Sequence, residues 1–292
     1  MSSRRQIITA GGAAAATALV AACSDSSGGE PAGHPSASAS GTPLSRGMAQ
    51  VTRFFGPDLL PRDHGGFGLS RAVLLPGRDP VLGPTLRVGY PAGSASMTVA
   101  RKYGRPEGGA QLYLERRSGP VDSLHLRYYL RFPNGFDFVK GGKLPGLYGG
   151  SVTGGQHIPD GTDGMSTRYM WRRNGFAEVY AYLPTSVEHG TSLGRSDDWY
   201  WPVDRWTCVE QALHLNTPGR ADGSITVTVN GARVLAQHRL TFRTTPRLRI
   251  DGVFFSTFFG GDDPSWATPR AQYVDFAAFA ISSRTLGQLP GT

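Results

Sequence analysis

Apolar side chains in this sequence recur at every second residue, and that period restricts the fold more than any other feature. Leu124, Leu126, Tyr128 and Leu130 alternate with His125, Arg127 and Tyr129, the pattern of a strand that buries one face. Ile225 to Val229 run into Asn230-Gly231 and then Val234-Leu235, a hairpin with a favoured turn dipeptide. Further strand-like runs cover 166–172, 176–183, 206–215, 248–259 and 273–281, and long amphipathic helices are absent. Short strands divided by Gly and Pro clusters, without helical crossovers, predict an all-β fold: an antiparallel double-sheet sandwich, with a β-jelly roll as the leading topology. The 40 glycines carry no three-residue period and there are two cysteines, which excludes a collagen-like chain and a disulfide scaffold.

Residues 1–22 are set apart from the fold. Arg4 and Arg5 precede an apolar stretch from Ile7 to Ala22 that ends at Cys23, which reads as a signal peptide of the twin-arginine type with a lipobox. Its Ala- and Gly-rich core is shorter than a bilayer span requires. A lipid on Cys23 would hold an exported protein at the outer face of the bacterial cytoplasmic membrane; secretion is the alternative. Cys208 would then have no partner, and its apolar surroundings predict a buried small side chain. Residues 23–47 are Ser, Gly, Ala and Pro in low-complexity order, a flexible tether, so a single folded domain is expected over 48–292.

Without Arg4 and Arg5, 28 basic side chains face 22 acidic ones, a formal charge of +6. Only Lys102, Lys140 and Lys143 are lysines; the rest are arginines, whose planar fork grips carboxylates. A polyanionic partner is favoured, and no nucleic-acid-binding signature accompanies the charge. A monomer is expected.

Residues two apart on a strand share a face. Ser166, Arg168 and Met170 therefore point one way, as do Glu178, Tyr180 and Tyr182. Such a set is too polar for the space between two sheets, so this face opens to solvent or to a ligand.

Four segments carry a family resemblance: Gly141 to Gly150, Ser166 to Arg172, Glu178 to Tyr182, and Asp251 to Gly261 with Trp266. In order and spacing they resemble the signature segments of family 14 polysaccharide lyases, which include alginate lyases and have glucuronan lyases as relatives. The resemblance implies a jelly roll whose concave sheet binds a polyuronate and cleaves it by β-elimination without a cofactor or a metal. It puts the functional Lys on Lys143, the Ser-x-Arg pair on Ser166 and Arg168, and the Tyr-x-Tyr pair on Tyr180 and Tyr182.

The chemistry of that set is coherent. Removing a proton beside an ionised carboxylate is hard unless a cation meets the developing charge, a task suited to Arg168 with help from Ser166. Lys143, Tyr180 and Tyr182 are the candidates for proton transfer. Free Lys and Tyr titrate near ~10, so a base among them needs a lowered pKa, which clustered positive charge would favour. His157 is a further candidate base. Tyr148, Trp171, Arg172 and Glu178 complete a substrate-binding set, with burial in the sandwich as the other reading for the tryptophan. Lys143 is expected in a Gly-rich loop. Asp262-Asp263 reads as a solvated turn, with a structural calcium as the alternative. A non-catalytic carbohydrate-binding lipoprotein is the second functional class, and the intact proton-transfer set distinguishes the enzyme from it.

Overall fold

A computed structural model describes residues 42–43, 48–62, 64–194 and 199–292. The signal peptide, Cys23 and most of the tether lie outside the described residues. The first strands are β1 (Thr42–Pro43), β2 (Leu59–Pro61), β3 (Ala72–Asp79), β4 (Gly83–Tyr90) and β5 (Ala110–Arg116). Then come β6 (Ser123–Arg131), β7 (Gly141–Gly150), β8 (Gly164–Arg172), β9 (Ala177–Tyr182) and β10 (Thr191–Leu193). The last are β11 (Thr207–His214), β12 (Gly223–Val229), β13 (Ala232–Leu240), β14 (Gly252–Phe259) and β15 (Gln272–Ser282).

They form two antiparallel sheets. Sheet I has the order β1-β3-β4-β15-β6-β11-β12-β13, and sheet II the order β10-β9-β8-β7-β14-β5-β2. The order interleaves distant parts of the chain, so β14 lies between β7 and β5 and the C-terminal β15 between β4 and β6. This is the expected all-β sandwich of jelly-roll type. The Asn230-Gly231 turn joins β12 to β13 with φ of 48° and 77°, both in the left-handed region that a type I′ turn demands. Thr42–Pro43, inside the expected tether, pair with Leu74 and Val73 of β3.

Alternation decides what each strand buries. From sheet II, Leu112 and Leu114, Leu144 and Leu147, Tyr169 and Trp171, and Val253 and Phe255 enter the core. They meet Leu126, Tyr128, Leu130, Val88, Val274 and Phe276 of sheet I. Removing a side chain the size of Phe255 or Phe276 from water contributes about 1.5–3 kcal/mol. One polar pair here is reciprocal: Thr167 Oγ1 donates to Gln211 Oε1 at 2.6 Å and Gln211 Nε2 donates to the Thr167 carbonyl at 2.8 Å. Two short helices add to the strands. In α1 (Met48–Phe55), Phe55 packs its ring edge-on to Phe279 and Phe255. In α2 (Met97–Tyr103), the Ser96 hydroxyl caps Val99 N–H and Gly104 closes the helix at φ 61°, the usual chemistry of the two ends.

Two local expectations are corrected. The Gly-rich run 141–150 is a strand paired on both sides rather than a loop, because its glycines admit crowded neighbours: a Cβ on Gly142 would collide with the Trp171 ring. Trp171 itself faces the core, edge-on to Phe259 and Phe132, and is no part of a substrate surface. Cys208 is buried on the outer face of sheet I, among Leu82, Tyr129 and Ala277, and has no disulfide partner among the described residues. Asp262-Asp263 is a turn in which the Asp263 carboxylate accepts Ser265 N–H at 2.7 Å.

Candidate active site

The face of sheet II turned away from the core is organised in three cross-strand rows. Tyr182, Ser166 and Tyr148 are register neighbours, as are Tyr180, Arg168, Gly146, Phe254 and Tyr113 in the next row. Glu178, Met170, Lys143 and Phe258 form the third. Neighbouring strands stand about 4.8 Å apart, so Lys143, Ser166, Arg168, Tyr180 and Tyr182 converge from three adjacent strands.

Lys143 reaches this face through an irregularity. Lys143 and Tyr148 are five apart, and simple alternation would send them to opposite sides. The register slips by one residue at Pro145, between Leu144 and Gly146. This bulge restores a common face, and the Pro145 carbonyl is taken by the Tyr128 hydroxyl at 2.9 Å.

Arg168 is 3% exposed. Because Gly146 beside it has no side chain, the guanidinium extends over the Phe254 ring, 4.5 Å from its centre. Nη1 donates to Ser256 Oγ at 3.2 Å, and Ser256 donates onward to Gln111 Oε1 at 3.1 Å. Nη2 makes a long bond of 3.4 Å to the Thr153 carbonyl. Nε is buried with no acceptor among the described residues. The Ser166 hydroxyl donates to the same Thr153 carbonyl at 2.6 Å.

Lys143 is 9% exposed. Its Nζ donates to Met170 Sδ at 2.9 Å and lies 3.5 Å from the centre of the Tyr180 ring, with no carboxylate in ion-pair contact among the described residues. Burial pulls its pKa well below the ordinary lysine value; Arg168 and Arg172 push the same way, and Glu178 opposes them. The tyrosines go the other way. Burial lifts Tyr180 to about 12 and also raises Tyr182, against the pull of Arg168. The expectation that clustered positive charge would lower a tyrosine is overturned by desolvation, and Lys143 alone of the three becomes a better base.

The remaining expected residues surround this centre. Arg172 pairs with Glu178 Oε1 at 2.7 Å and lies over the Tyr180 ring. Glu178 is fully buried, which corrects its reading as a substrate contact: it holds Arg172. Tyr148 is on the right face but buried beneath Arg62 and beside Tyr113. His157 is exposed in the 151–159 loop, apart from the cluster in hydrogen bonding. That loop covers the site: Tyr182 donates to the Gly155 carbonyl at 2.8 Å, and Tyr113 bonds the Thr153 hydroxyl at 2.7 Å.

Sequence reading missed Ser256, Gln111, Tyr113 and Phe254. A signal existed for Ser256, a lone hydroxyl in the run Phe254-Phe255-Ser256-Thr257-Phe258-Phe259 on the face opposite Phe255. Gln111 and Tyr113 likewise alternate with the core residues Leu112 and Leu114.

The family model for Polysaccharide lyase 14 matches residues 81–279. The chain belongs to polysaccharide lyase family 14. Among solved structures, this lyase is similar to the marine PL-14 alginate lyase from Aplysia kurodai, with 29% identity and a TM-score of 0.68 over 84% of this chain and 97% of that one. It is also similar to alginate lyase vAL-1 from Chlorella virus, with 23% identity and a TM-score of 0.64 over 80% and 96% of the two chains. Endo-β-1,4-glucuronan lyase from the fungus Trichoderma reesei shares the fold, with 12% identity and a TM-score of 0.50 over 77% and 90%. No curated protein sequence matches this chain.

Proposed function

We propose that this lyase cleaves a 4-O-linked polyuronate, of the alginate or glucuronan kind, by β-elimination. The observation that carries the reading is the buried guanidinium of Arg168, which shares one face with the desolvated amine of Lys143 and has no carboxylate partner among the described residues. Buried charge is costly unless compensated, and an anionic ligand supplies the compensation. The buried, unbonded Arg168 Nε matches a missing carboxylate oxygen.

In the proposed reaction the sugar carboxylate replaces the Thr153 carbonyl at Arg168 and Ser166, and the loop lifts to admit it. Arg168 stabilises charge that builds on this carboxylate only in the transition state. Lys143, neutral because it is desolvated, takes the C5 proton. The C5–H electron pair forms the C4=C5 double bond as the C4–O4 bond breaks, and the Tyr182 hydroxyl, kept protonated by its raised pKa, returns a proton to O4. The leader supports an exported enzyme held by a lipid on Cys23.

The test is ultraviolet absorbance on a panel of polyuronates. Elimination creates a conjugated, absorbing product end and hydrolysis does not. Growth of reducing ends without absorbance on every substrate rejects the proposal.

A further inference from the structure

Beside the catalytic cluster, past Tyr148 and Tyr113, lies an open cavity of about 750 Å³ lined by Arg62, His64, Glu115, Ser151, Thr162 and Asp163. Arg62 and His64 come from a segment that precedes the family-matched span of 81–279. This segment is tied across the edge of sheet II. Arg62 N–H bonds the Tyr113 carbonyl at 2.9 Å, Phe67 exchanges backbone bonds with Gln111, and the Gly65 carbonyl accepts Gln111 Nε2 at 2.7 Å.

Arg62 is held ready for a ligand. Its guanidinium lies 5.7 Å from the Tyr113 ring centre and 5.5 Å from that of Tyr148. Glu115 accepts from Nε at 2.7 Å, which leaves both terminal nitrogens without an acceptor among the described residues. Stacking and one ion pair therefore set the orientation of a fork whose outer end is free, the arrangement that best receives a second carboxylate.

The cavity adjoins the catalytic face across Tyr148 and Tyr113. Tyr148 is the register neighbour of Ser166. Tyr113 bonds Thr153 and stacks on Phe254 at 4.2 Å, and Phe254 lies under Arg168. Arg168 on β8 and Tyr113 on β5 are three strand spacings apart, about 14 Å, within reach of one oligosaccharide. The two part-exposed carboxylates, Glu115 and Asp163, repel a ring presenting only acid groups but accept hydrogen bonds from sugar hydroxyls. A single uronate, its acid on Arg62 and its hydroxyls toward Glu115, Asp163, Ser151 and Thr162, satisfies both signs of charge.

We propose that Arg62 is a specificity-determining residue that binds the carboxylate of a uronate several rings from the scissile bond. The N-terminal segment thereby extends the groove with a distal sugar subsite. The proposal rests on the polyuronate reading above.

A ladder of oligouronates of increasing length tests it, with cleavage followed by absorbance and product sizes by chromatography. In Arg62→Gln, KM rises with substrate length, to about tenfold on the longest, as expected for one charge-assisted contact. At the same time kcat holds, and the preferred cleavage position shifts along the chain. Arg62→Lys recovers part of the loss. Ser151→Trp, which fills the cavity from the loop side and leaves Arg62 unsubstituted, reproduces the length dependence and guards against a folding defect in the first variant. A change equal at all lengths, or absent at all lengths, overturns the proposal. Should the wild type yield no unsaturated product, the lyase reading fails by itself, and calorimetric binding of the same ladder decides the subsite. Length-dependent weakening in Arg62→Gln sustains it, and no binding by the wild type removes it.

Discussion

The amine of Lys143 sits 3.5 Å above the centre of the Tyr180 ring and donates to the sulfur of Met170, so its nearest contacts are polarisable rather than anionic. A ring face and a thioether attract a cation far less than a carboxylate does. The group is left chargeable but poorly compensated.

This has a consequence for stability. A lysine whose folded pKa lies below its unfolded value near 10.5 binds fewer protons in the native state. It therefore costs stability as pH falls from the unfolded pKa through the folded one. Lys143→Met is expected to stabilise the fold at neutral pH, by about 1–4 kcal/mol as for other buried charges replaced by apolar groups, with a gain that shrinks toward pH 10.5. The same variant is inactive. Denaturant melts at neutral and alkaline pH check the sign; a loss of stability at neutral pH contradicts the desolvated amine.

Glu178 is the carboxylate that raises the Lys143 pKa. In Glu178→Gln that support disappears and the amine loses its proton more readily. The acidic limb of the kcat/KM profile should move to lower pH. An unmoved limb means that Lys143 is not the titrating base.

Arg168→Lys keeps the charge and loses the fork. Without simultaneous contact to Ser256 and the substrate acid, kcat should fall about 10²- to 10³-fold, the scale of losing one preorganised transition-state donor, with little change in melting temperature. Steady-state kinetics and a thermal melt together separate this from misfolding.

The tyrosines are expected to differ. Tyr182→Phe deletes the hydroxyl assigned to O4 and should lower kcat about 10²- to 10⁴-fold. Tyr180→Phe retains the ring beneath Lys143 and should lose much less. Equal losses would reassign the acid.

Trp171→Ala separates the core from the site. The side chain is fully buried and packs on Tyr90, Phe132, Phe136 and Phe259, so truncation should destabilise by about 3–5 kcal/mol. A substrate-stacking tryptophan would instead raise KM at unchanged stability.

How far the site is legible follows from spacing. The Ser166, Arg168 pair and the Tyr180, Tyr182 pair are each two residues apart, and strand alternation alone puts each pair on one face. Trp171 is an odd number of residues from Arg168, so the same rule sends it to the core. Lys143 is different: its place on the site face depends on the bulge at Pro145, a register slip fixed by the partner strand. Tyr148 is on the predicted face, yet its burial under Arg62 comes from a segment 86 residues earlier, beyond the reach of any local pattern.

Strand positions, the Asn230-Gly231 turn and the two faces of β8 and β9 were determined by the sequence itself, because side-chain direction and turn dihedrals depend on residues one or two positions away. Tertiary structure alone decided that β14 enters between β7 and β5 and brings Ser256 to Arg168 across 88 positions of chain. It alone decided, too, that Lys143 is stripped of water while the tyrosines hold their protons. Strand order and desolvation are set by distant segments packing together, and a local period carries no record of which segments those are.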